Sequence, residues 1–240
     1  MVHIINWRDT QPKIAHLSAV HWGGYRDKER ENDPDERNRL AKLHGFARHA
    51  LQGRKTSDYH KHESLEQVYY VLSGSGEVLF DNERFPVQEG DAIYLPPGIH
   101  HQMFNDMNQA YLEHHVISQK VEGNGGDFAI RNWRDVPALG DGEGAVRWHQ
   151  IGEVGEDYVG FTRGLKFIDR EAVQPRGQTI KRSYEDTEQV YYILENCGIL
   201  AADGSEYEIQ EGDMVHLPAG TQYAIRNPHA EWLSYMIMAA

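Results

Sequence analysis

The chain has 240 residues, 40% of them hydrophobic and 10% aromatic, enough to bury one substantial core or two smaller ones. Its formal charge of −13 works against phosphate backbones and anionic membrane surfaces, so nucleic acid and membrane are excluded as expected partners. With no apolar run of about 18 residues, no signal-peptide pattern in Met1 to Asp9, and the single Cys197 unable to form an internal disulfide, the chain reads as soluble and cytoplasmic, with Cys197 as core filler.

Asn6-Trp7-Arg8-Asp9 opens the chain and returns as Asn132-Trp133-Arg134-Asp135. Next comes a charged insertion, Arg26 to Leu40, in which Asp33-Pro34-Asp35-Glu36 predicts a short helix: Asp33 as N-cap, Pro34 at the first helical position, and Glu36 reaching back. Such a helix is either a solvated surface element or a lid or subunit contact, with Leu40 and Leu43 facing the barrel. Apolar runs at Val68 to Leu72, Glu77 to Phe80, Ala92 to Leu95 and Ala110 to Ile117, separated by Gly, Asn, Asp and Pro turns, predict an antiparallel barrel or sandwich.

Sliding the chain by 122 positions superposes Glu66-Gln67-Val68-Tyr69-Tyr70 on Glu188-Gln189-Val190-Tyr191-Tyr192. The same shift matches Gly90-Asp91 to Gly212-Asp213, Leu95-Pro96 to Leu217-Pro218, Gly98 to Gly220 and Asn105 to Asn227. Gly45-Phe46 is matched to Gly160-Phe161. The boundary is expected at the glycine-rich Gly123 to Gly126, giving domains 1–122 and 123–240.

His60 and His62, one residue apart on a strand, point to one face and can share one ion, with His101 arriving from a distant strand and a fourth ligand needed near position 67. The run H-x-H, Gln67, Gly74, then Gly90, Pro96, Gly98, His101 and Asn105 resembles the two motifs of the cupin superfamily. The second motif matches residue for residue; in the first, Gln67 stands where most of the family has glutamate, and Gly53 lies one residue further upstream than usual. The resemblance spans nearly the whole chain and implies an all-β fold of two tandem cupin-type barrels (double-stranded β-helix, jelly roll), with a short helical insertion in the first.

It also implies one divalent transition metal per chain (Fe, Mn, Ni, Zn or Co), held by His60, His62, His101 and either Gln67 or, after a one-residue shift, Glu66. Gln67 is the preferred reading. An amide leaves the full ionic charge in place, favouring Lewis-acid chemistry on an anionic oxygen. The expected activity is therefore isomerisation, elimination or ring opening of a small polar molecule such as a carboxylated sugar or keto acid. An Fe(II)-dependent dioxygenase and a non-catalytic binding protein are the alternatives.

The second copy has Arg182, Tyr184 and Tyr223 where the first has its three histidines, and keeps Gln189. It is expected to bind no metal and to act as a structural partner, although Arg182 with two tyrosines could bind a carboxylate. Proton carriers are sought on the strand after His101, where Tyr111, Glu113 and His115 share one face and Leu112, His114 and Val116 the other. His115 and Glu113 are the acid–base candidates; Arg48, read as repeated by Arg163, is a substrate clamp or a structural salt bridge. Tyr69 and Tyr94 line the cavity or fill the core, His100 faces away, and His16 and His21 belong to no constellation. Sheet pairing between chains into a homo-oligomer is left open.

Overall fold

A computed structural model describes residues 1–27, 36–153, 159–160 and 162–240. It is all-β, with two similar halves. In the first, Pro12–Ala15, Ala19–Asp27, Gly45–Leu51, Leu112–Lys120, Leu65–Ser73 and Asp91–Leu95 pair antiparallel, in that spatial order, to form a large sheet. Lys55–Thr56, His101–Asn105, Ser75–Phe80 and Glu83–Gln88 form the facing smaller sheet. The second half repeats this plan.

The predicted strands form, with the last running over Leu112–Lys120 rather than Ala110 to Ile117. Leu65–Ser73 reads as one apolar run because both faces of its sheet are covered. Tyr69 and Val71 fill the first barrel, while Val68 and Tyr70 join a core shared between the halves with Tyr192, Met214, Met236 and Met238. Leu40 and Leu43 are buried in that shared core and not in the barrel. Glu36–Asn38 is a single 3₁₀ turn; Asp33, Pro34 and Asp35 lie outside the described residues, as does Phe161. Cys197 is half-buried at the start of Cys197–Ala202, the central strand of its small sheet, so it is not core filler.

The halves exchange strands. His3–Asn6 pairs with Asp213–Leu217 of the second half, and Ala129–Asn132 pairs with Asp91–Leu95 of the first. This explains the repeated N-W-R-D. Each Asn caps a 3₁₀ turn through its carbonyl oxygen and donates through Nδ2 to an aspartate of the other half, Asn6 to Asp213 and Asn132 to Asp91, both at 2.8 Å. The glycine beside each aspartate is required twice over. Gly90 and Gly212 both have φ +89°, and a Cβ would meet Trp133 at 2.6 Å and Arg8 at 2.4 Å, respectively. Among the described residues no helix is long and apolar enough to cross a membrane.

Candidate metal centre

His60 and His62 lie on the irregular segment between Lys55–Thr56 and Leu65–Ser73, not on a continuous strand. A lone backbone bridge locks His60 to His101, with N···O distances of 3.2 and 2.8 Å. The ligand atoms of His60, His62 and His101 all lie within 4.8 Å of one another. Nδ1 of His60 is 3.2 Å from the Asp58 carbonyl and Nδ1 of His101 is 3.3 Å from that of Ile99; a carbonyl only accepts, so each Nδ1 carries the proton and each Nε2 offers its lone pair. Both Nε2 atoms are buried and, among the described residues, neither has a hydrogen-bond partner. Burial, reinforced by the neighbouring imidazoles, pushes His101 down to about 3 and His62 down to about 4, so both are neutral at pH 7 as coordination requires. The donor set therefore fits a transition-metal ion. Asn105, buried at the end of its strand, donates to the carbonyls of Leu51 and Ala110 and holds two strand ends together.

Adjacent strand residues face opposite ways, which separates Glu66 from Gln67. Glu66 is fully buried on the side of the other half, where its carboxylate accepts from the backbone amides of Arg163, Gly164 and Leu165 at 2.8, 2.8 and 2.7 Å and from the Tyr94 hydroxyl. It has no capacity left for an ion. Gln67 is on the barrel side, and Tyr69 Oη approaches its carbonyl oxygen at only 3.5 Å. The second half shows the closed version: Gln189 accepts from both Tyr191 and Tyr223 at 3.0 Å, and in the first half His101 replaces the second of those tyrosines.

The three proposed catalytic side chains are elsewhere. Arg48, Glu113 and His115 lie on the opposite face of the large sheet, between the halves. Arg48 bonds Tyr192 and Glu113 and sits 4.3 Å over the Trp7 ring. His115 packs on Phe46 and Tyr192, with ring centroids 4.5 and 4.1 Å away. Arg48 is matched by Arg170, which sits 4.5 Å over Trp133, and not by Arg163, whose guanidinium bonds the backbone carbonyls of the 122–125 loop. Tyr94 is in the shared core, and His100 stacks on Tyr59 away from the centre.

Facing the centre instead are four imidazoles that spacing did not single out as a group. His49 Nε2 is 2.7 Å from His21 Nδ1, His114 packs on both His49 and Tyr69, and His16 lies between His49 and His60. Burial holds His49 well below the usual histidine range and His114 down to about 4. A cleft of about 230 Å³ is lined by His16, His21, His49, His62 and Gln67, with Lys13 and Arg26 also on its walls. A larger hollow of about 570 Å³ opens among Asp91, Asp106 and Asp135 and contains none of these imidazoles.

In the second half the corresponding positions are closed by charge. Arg182 donates from Nη1 to both carboxylate oxygens of the fully buried Glu171, at 2.8 and 2.7 Å, Tyr235 donates to the same carboxylate, and Arg147 pairs with buried Asp169. Arg182 is therefore already paired with a carboxylate of this chain, which disfavours the alternative in which Arg182 and its tyrosines bind a substrate carboxylate. Removing one partner leaves a buried charge: Glu171→Leu is expected to cost about 3–5 kcal/mol in chemical denaturation, while Arg182 and Glu171 replaced together by apolar residues should cost much less.

A family model described as "Cupin domain" matches twice, at residues 48–116 and 170–238, more than half of the chain. Protein YlbA of E. coli superposes with a TM-score of 0.73 at 15% identity, over 99% of this chain and 90% of that one. The putative glyoxylate induced protein of Pseudomonas aeruginosa gives 0.78 at 15% identity, over 99% and 87%. Oxalate decarboxylase of Bacillus subtilis, as a single-substitution variant, gives 0.74 at 13%, over 98% and 76%. At these identities the likeness concerns the fold alone. The uncharacterized protein MJ1618 of Methanocaldococcus jannaschii is 48% identical over 46 residues, which is 19% of this chain and 37% of that protein. With both barrels matched, the chain belongs to the cupin family and carries two tandem cupin domains.

Proposed function

We propose that this protein is a metal-dependent cupin enzyme with one divalent transition-metal ion per chain, held by His60, His62, His101 and Gln67, that acts on a small anionic substrate. The observation that carries this reading is the convergence of three imidazoles, two of them presenting buried, unpartnered Nε2 atoms to one point. A bound ion would supply Lewis acidity to a substrate oxygen. Lys13 on the cleft wall favours a carboxylate, and the volume suits a compact sugar acid or keto acid. The hydrogen-bonded His21 and His49, in the same cleft, are the groups placed to give or take a proton in an isomerisation, elimination or ring opening. The Mn(II) centres named for the B. subtilis oxalate decarboxylase support a first-row metal.

Elemental analysis of protein purified without tag or chelator is the test. Near one metal per chain is expected, lost in His101→Ala and weakened in Gln67→Ala. Failure to take up Fe(II), Mn(II), Ni(II), Zn(II) or Co(II) on reconstitution would overturn the reading. Product formation without oxygen separates it from a dioxygenase.

A further inference from the structure

His16 sits at the tip of the hairpin joining Pro12–Ala15 to Ala19–Asp27. Its φ is +47° and that of Leu17 is +66°, so two consecutive non-glycine residues occupy the left-handed region, where an L side chain crowds its own backbone. In the second half the hairpin register places Gly142, φ +85°, at the position of His16. The two tips differ in conformation, with positive φ at His16 and Leu17 in the first half and at Gly142 and Gly144 in the second, and only the first carries an imidazole at that position. Asp81 and Asn82, at another hairpin tip, take nearly the same angles, +47° and +68°, so it is the contacts of the His16 side chain that single it out.

The contacts of that side chain are specific. His16 Nδ1 is 2.8 Å from Asp58 Oδ1, and its ring stacks on His60 with centroids 5.0 Å apart at 24°. Asp58 in turn presents its carbonyl to His60 Nδ1 at 3.2 Å and its carboxylate at 3.6 Å. His101 also has a backbone carbonyl on Nδ1, but its ring neighbours among the described residues meet it edge-on or tilted rather than stacked. Of the three imidazoles, His60 is the one braced from outside by a stacked ring and a carboxylate. A ligand whose plane and tautomer are fixed before the ion arrives gives up less freedom on binding, and removing such outer partners commonly weakens metal affinity.

We propose that His16, anchored by Asp58, is a positioning residue for the metal ligand His60. This rests on the metal-site reading above. The test is titration of the metal-free full-length protein with Co(II), following the visible absorption of the bound ion, in wild type, His16→Gly, Asp58→Asn and the double variant, beside thermal unfolding of each metal-free form.

For His16→Gly, about tenfold to hundredfold weaker Co(II) binding and an altered absorption band are expected, with metal-free unfolding unchanged or shifted upward because the turn is relieved. Since both side chains act through one hydrogen bond, the double variant should bind little worse than the weaker single variant. Unchanged affinity and spectrum in His16→Gly would overturn the proposal. So would a loss of metal explained by an equal loss of metal-free stability, which would assign His16 to the turn alone. Wild type binding no Co(II) would instead sink the metal-site reading, and this proposal with it.

Discussion

Glu66→Ala is expected to destabilise the protein by about 3–5 kcal/mol, lowering the melting temperature by roughly 10 °C for a chain of this size. The carboxylate is fully buried and is the common acceptor for three backbone amides of the 163–165 segment and for Tyr94. Truncation strands those donors at the seam between the halves, where water cannot replace the lost oxygens without opening the shared core. Glu188 makes the mirror-image clamp on the amides of Ala41, Lys42 and Leu43, with His216 as fourth partner, so Glu188→Ala should match it. Glu66→Gln keeps one acceptor oxygen and should cost distinctly less. Chemical denaturation checks the stability, and metal analysis of the same variants checks the role: Glu66→Gln should hold metal as wild type does. Loss of metal with intact folding would return Glu66 to the candidate ligands.

Acid should unfold the metal-free protein well above the carboxylate range. His49, His114 and His115 are buried, and burial holds all three below the ordinary histidine value, His114 at about 4. The sign follows from proton counts. Below about pH 6.5 the unfolded chain protonates these rings while the folded chain does not, so stability falls with falling pH until the folded groups themselves titrate. Each contributes up to about 1.4 kcal/mol per pH unit in that window, and three together approach the whole stability of an ordinary domain, about 5–15 kcal/mol, within two or three units. Denaturation midpoints measured between pH 7 and pH 4.5 on chelator-treated protein test this. A flat profile would mean that the rings are protonated or solvated when folded. His114→Phe should reduce the slope by about one proton.

The histidine cluster proposed to hold the metal was legible in the sequence because H-x-H, the Pro-x-Gly turn and His101 are set by local spacing. Tertiary context decided the rest. Glu66 and Gln67 are equally polar neighbours, and only the burial of both sheet faces shows that one serves the seam and the other the barrel. The same ambiguity misplaced the acid–base groups: a polar face was sought on Leu112–Lys120, but the seam also buries polar side chains, Arg48 with Glu113, and it took His115 while the barrel took His114. His16 and His21 were passed over because their partners, Asp58 and His49, lie 42 and 28 residues away. The N-W-R-D repeat was visible, but what it docks on was not.

The exchanged strands set an order on synthesis. His3–Asn6 leaves the ribosome long before its pairing partner, Asp213–Leu217. At about 5–20 residues per second the interval is roughly 10–40 s. Throughout it the first barrel can close its own sheets once Ala129–Asn132 has emerged, while the opening segment waits with its backbone unpaired. A nascent chain of this protein therefore carries a bare strand through that interval, and the exchange closes only when Asp213–Leu217 arrives.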